Sequence, residues 1–222
     1  MESTRTDSDR IPLMLIHGAW LSSRSWESFA DYFDKRGFAV SAPEWPRKHG
    51  DVEQLREGAE ELAGLGLTEA ASPALAHPSR WHGVVTLTPE EFAYGFVNTF
   101  SPEEAAAAYE RYAVPETGQI FYEAGFANFH LHPPTELHFK NEERAPLLIV
   151  GAEKDHTVPA SVSRAQYKKY EHSPAKTEYL EFEGRPHLFG VGEVWEEVAA
   201  SIDSWLGGVL DTPAPAPQHV SA

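Results

Sequence analysis

The chain has 222 residues, 41% hydrophobic and 23% charged, an ordinary makeup for one soluble globular domain with room for a small addition. A formal charge of −16 and a pI near 5.0 exclude nucleic acid and anionic membrane surfaces as expected partners, since both repel an acidic surface. Cysteine is absent, which removes disulfides, thiolate nucleophiles and cysteine-bound zinc.

The polar N-terminus, MESTRTDSDR, has no apolar stretch suited to a signal peptide. No window approaches the roughly 18 apolar residues that a membrane span needs, so a soluble, cytoplasmic protein is expected. Residues 1–10 are expected to be disordered. Ile11 to Ile16 (IPLMLI) then reads as a strand buried on both faces, ending in His17-Gly18-Ala19-Trp20. Trp26, Phe29, Ala30 and Phe33 recur at helical spacing up to Gly37, a helix stop. Phe38 to Ser41 (FAVS) supplies the next strand, completing a strand–helix–strand unit of a parallel sheet.

Residues 51–69 are acidic and interrupted by glycine, and Ala70 to His82 is a Pro/Ala/Ser-rich connector. Two helices are predicted between Pro89 and Tyr112. Each opens on Thr/Ser-Pro-Glu-Glu, with a capping hydroxyl, proline at the first helical position and acids in the first turn. Residues 119–138 are rich in aromatics and histidine but carry no clear period. Ala145 to Gly151 (APLLIVG) gives the strongest strand signal, followed by a loop holding Asp155 and an amphipathic helix over 160–171. Thr177 to Phe182 (TEYLEF) alternates as a strand and leads into Gly184-Arg185-Pro186-His187. A last helix runs from Trp195 and is expected to stop at Gly207-Gly208, before a Pro/Ala-rich tail too polar to order itself.

Three of these pieces resemble the α/β-hydrolase family, in particular its small esterase-like members with a helical cap. IPLMLIHGAW is similar to the family's strand and HG turn, which implies that the backbone at Ala19, with Trp20 beside it, helps form an oxyanion hole. APLLIVGAEKDHTVP resembles the strand and turn that carry the triad acid, implying that role for Asp155. EYLEFEGRPHLFG resembles the last strand and its histidine loop, implying His187 as general base. Singly, each piece has a commoner explanation: a strand-ending turn, a helix cap, a structural histidine. Together they keep the acid-then-base order of the fold, each at the C-terminal end of a strand, where parallel sheets place their sites.

The resemblance implies an α/β fold, a mostly parallel sheet flanked by helices with a small helical cap. Its expected layout is a first core part over 11–69, connector and cap over 70–140, a second core part over 141–210, and a disordered tail over 211–222. It also implies a G-x-S-x-G turn on a central strand, and the chain has none. The relaxed match at Ala70-Ala71-Ser72-Pro73-Ala74 makes Ser72 a candidate nucleophile, but Pro73 has no N–H to complete the oxyanion hole. A second match, centred on Ser163, falls inside a predicted helix after the acid. With the elbow strand missing, the edges of neighbouring strands are expected to be exposed.

The reading is a Ser-His-Asp type hydrolase lineage acting on a small ester or acyl substrate, with weak or no turnover. The alternative is a non-catalytic relative that binds a small apolar ligand or a protein partner. No cofactor is implied, because triad chemistry needs none. His130, His132 and His138 invite a metal reading, but no carboxylate stands at a suitable spacing and Pro133-Pro134 breaks any strand there, so no metal is expected.

Overall fold

The computed structural model describes residues 10–45, 83–118 and 137–210. Residues 1–9, the tail over 211–222, the connector Ala70 to His82 with Ser72, and His130 and His132 lie outside the described residues. Arg10, expected to be disordered, is described and pairs with Asp34 at 2.5 Å. In chain order the elements are β1 (Ile11–Met14), a 3-10 turn (Ser23–Trp26), α1 (Glu27–Lys35), β2 (Phe38–Ser41), β3 (Val84–Val85), α2 (Pro89–Phe96), α3 (Pro102–Tyr112), β4 (Glu116–Thr117), β5 (Leu147–Ala152), α4 (Ala160–Lys169), β6 (Thr177–Phe182) and α5 (Trp195–Leu210).

Helix starts follow the sequence closely. At α2 the Glu91 N–H donates to Thr88 Oγ1 (3.2 Å) and the Thr88 N–H donates to Glu91 Oε2 (2.8 Å). Ser101 and Glu104 repeat this reciprocal box at α3, with proline at the first turn of both helices. Helix α1 stops where Gly37 takes φ 92°, a conformation that glycine adopts without Cβ strain. Helix α5 continues through Gly207 and Gly208 to Leu210, past the expected stop. Glycine costs a helix only about 1 kcal/mol, and three preceding turns outweigh that.

β1 pairs in parallel with β2, from Ile11 opposite Phe38 to Met14 opposite Ser41. β5 pairs in parallel with β6, from Leu147 opposite Thr177 to Ala152 opposite Phe182. Helices α1 and α5 cover one face of both pairs: Phe29, Phe33 and Val198 pack there with Leu13, Leu15, Val40, Val150 and Leu180. Helix α4 packs against β5 and β6. The expectation that the first strand is buried on both faces is corrected. Leu13 and Leu15 face the core, but Met14 and Ile16, pointing the opposite way, are 62% and 61% exposed. The reason is coverage: among the described residues β2 is the sole strand neighbour of β1.

A second core lies under α2 and α3. Phe92, Phe96, Val97, Ala108 and Tyr112 pack on Trp20 and Leu21 from the first turn and on Leu188 and Val191 from the last loop. A short antiparallel ribbon, β3 with β4, borders this cluster. Among the described residues no helix is long and apolar enough to cross a membrane.

Candidate active site

The loops after β5 and β6 meet. His187 Nδ1 lies 2.8 Å from Asp155 Oδ2. The other carboxylate oxygen, Oδ1, accepts the backbone N–H groups of Thr157 and Val158, both at 2.7 Å. Asp155 is buried, and each of its oxygens therefore has a partner, as a buried carboxylate requires. Since a carboxylate only accepts, the bond places a proton on Nδ1, and in the neutral imidazole the lone pair then sits on Nε2. The Phe96 ring stands edge-on to the imidazole, with centroids 5.1 Å apart, and fixes its plane.

The first turn comes to the same place. Gly18, Leu21 and Trp26 share with His187 and Phe189 a mainly apolar cavity of about 160 Å³. His17 is buried, with its ring stacked on Trp45 at 5.2 Å and Nε2 3.0 Å from Glu44 Oε2. Glu44 in turn accepts the Ser23 N–H at 2.8 Å, which ties the start of the 3-10 turn to the end of β2.

Trp20 holds φ 57°, the left-handed region, and is the one non-glycine residue to do so among the described residues. Such a conformation costs on the order of 1–3 kcal/mol and persists only where the surroundings impose it. Here the surroundings are specific. The Trp20 N–H faces Glu116 Oε2 at 3.4 Å, its carbonyl accepts the Val114 N–H at 3.0 Å, and its indole N–H donates to the Val85 carbonyl at 3.0 Å. The Trp20 amide is thus directed toward a carboxylate, whereas the Ala19 N–H makes no hydrogen bond with any described residue.

Of the residues singled out from the sequence, Asp155 and His187 are in direct contact and Ala19 and Trp20 occupy the adjoining turn. Ser163 is buried in α4. Sequence reasoning missed Ser25, which lines the cavity beside His187 while its hydroxyl donates to the Ser22 carbonyl at 2.8 Å. It also missed Glu116, a buried carboxylate on a two-residue strand. No pattern marks either one: Ser25 is one of four serines between residues 8 and 25, and Glu116 one acid in an acidic chain.

Solved structures share this arrangement of strands, helices and loops. An extracellular α/β-hydrolase from a Paenibacillus species, said to share structural and functional homology with tobacco salicylic acid binding protein 2, superposes with a TM-score of 0.59 at 18% identity, over 87% of this chain and 98% of that one. The chain has the α/β-hydrolase fold. A monoacylglycerol lipase from Paleococcus ferrophilus gives a TM-score of 0.56 at 18% identity, over 89% and 94% of the two chains. Tomato methylketone synthase I, in complex with β-ketoheptanoate, gives 0.53 at 11% identity, over 90% and 98%. No protein-family model and no curated protein matches the sequence. At these identities the likeness establishes the α/β-hydrolase fold, with its parallel strands flanked by helices, and the chemistry must be argued from the site.

Proposed function

We propose that this α/β-hydrolase-fold protein hydrolyses a small apolar ester or related acyl compound, with His187 as general base and Asp155 as the group that orients it. The observation that carries the reading is the 2.8 Å contact from His187 Nδ1 to a buried Asp155 carboxylate, beside a cavity that the first turn also lines. Nε2 would take the proton from an attacking hydroxyl and later return it to the leaving group. Asp155 would hold the tautomer and balance the charge of the imidazolium, without itself taking the proton. The Ala19 N–H would help bind the oxyanion; the Trp20 N–H, turned toward Glu116, is the weaker donor for that role.

The size and lining of the cavity support a short substrate, since an apolar cavity of roughly 150 Å³ accommodates benzene. Without a G-x-S-x-G serine the rate would be far below that of an intact triad enzyme. The attacking hydroxyl would come from water or from a serine such as Ser72. An acidic surface suits an uncharged small substrate better than an anionic one.

The test is hydrolysis of p-nitrophenyl acetate by the protein and by its His187→Ala variant. The reading expects slow turnover that the variant loses. Equal rates in the two proteins would overturn it. Tight binding of a non-hydrolysable apolar ester without any turnover would favour a ligand-binding relative instead.

A further inference from the structure

The last carbonyls of a helix have no partners within it and must find donors elsewhere. At the end of α2 the donors come from the two loops that carry the acid and the histidine. Tyr94 O lies 3.1 Å from His156 Nδ1, Gly95 O accepts the Thr157 hydroxyl at 2.7 Å, and Phe96 O accepts the Leu188 N–H at 2.9 Å. Two residues further on, Asn98 donates from Nδ2 to the Lys154 carbonyl at 3.0 Å. One helical turn therefore touches residues 154, 156 and 157 on one side and 188 on the other, immediately flanking Asp155 and His187.

Thr157 is the closest of these links. It is buried, and its two polar hydrogens act in opposite directions along the chain of contacts: the N–H holds Asp155 Oδ1 at 2.7 Å, and the hydroxyl holds α2 through Gly95 at 2.7 Å. We propose that Thr157 is a positioning residue, fixing the Asp155 carboxylate relative to His187 by tying the acid loop to the same turn of α2 that holds the histidine loop. Its effect on turnover rests on the hydrolase reading above; its effect on the Asp155–His187 contact does not.

Thr157→Val keeps the outline of the side chain and removes the hydroxyl proton, whereas Thr157→Ser restores it. With histidine labelled by nitrogen-15, the His187 Nδ1–H is followed by proton NMR as a far-downfield signal that persists while the proton is bound to Asp155. The expected result is a signal kept in Thr157→Ser and broadened away in Thr157→Val. With p-nitrophenyl acetate, kcat should fall on the order of tenfold in Thr157→Val and recover in Thr157→Ser, while KM stays within about twofold. Asn98→Ala removes a half-buried link from the same turn and should weaken the signal in part; it decides alone if Thr157→Val does not fold. A full-strength Nδ1–H signal in every folded variant overturns the proposal. A wild-type protein that shows the signal, loses it in Thr157→Val and hydrolyses nothing would support the positioning role and count against the hydrolase reading instead.

Discussion

The two parallel strand pairs each begin with an apolar strand, β1 and β5, and these have different surroundings. β5 (LLIVGA) has Ile149 and Ala152 buried, a helix pair on one face and α4 packed against it. β1 (IPLM) is as apolar, yet none of its four residues is buried and Met14 is largely exposed. The loop after β5 carries a carboxylate with every oxygen satisfied. The turn after β1 holds its shape through contacts with β3, β4 and Val114 rather than through its own strand. A strand's hydropathy thus states what it could bury; its neighbours determine what it does bury.

The comparison can be broken at either end. The largest effect should come from the well-supported half: Asp155→Asn leaves the shape intact but favours the wrong imidazole tautomer, and kcat should fall to the level of His187→Ala in the ester assay. Next, urea melts should separate the two strands. Ile149→Ala should cost about 2–4 kcal/mol, and Met14→Ala less than about 0.5 kcal/mol. A Met14 cost as large as that of Ile149 would mean that β1 is covered after all. Thr88→Ala, which removes the cap of α2, should cost about 1 kcal/mol in the same melts.

The smallest effect is electrostatic and falls between the halves. The Arg111 guanidinium, 2.6 Å from Glu27 Oε2, holds the Glu27 carboxyl below its ordinary value of 4.5; burial opposes this and the Tyr112 hydroxyl assists. The folded state then binds the proton less well than the unfolded one. The contribution is therefore present above pH 4.5 and is lost as the pH falls through the lower folded value. The pair is exposed and screened, so Glu27→Gln should lower Tm by only about a degree or two near neutrality. That difference should vanish in acid.

Much of this was legible where the signal is local. The strand Thr177–Phe182 alternates and forms as read, and both Pro-Glu-Glu starts become capped helices. The resemblance of two strand-and-loop segments to the hydrolase family pointed to Asp155 and His187, and the two side chains meet. What escaped depends on distant partners. Two residues each are too few for β3 and β4 to show a period. The left-handed Trp20 and the buried Glu116 make sense only together, 96 residues apart. The exposure of Met14 and Ile16 is a property of what lies beside them, which a six-residue apolar run cannot reveal.

That separation also bears on the order of assembly. Helices α2 and α3 are joined by a short connection and start from local caps, so they can form early and at little entropic cost. The Trp20 turn closes loops of 65 residues to Val85 and 96 to Glu116, contacts that form only after much of the chain is in place. In native-state hydrogen exchange the Trp20 amide should accordingly open at lower free energy than those of β5. A partly unfolded molecule would then lose its first turn while the carboxylate and imidazole still face each other.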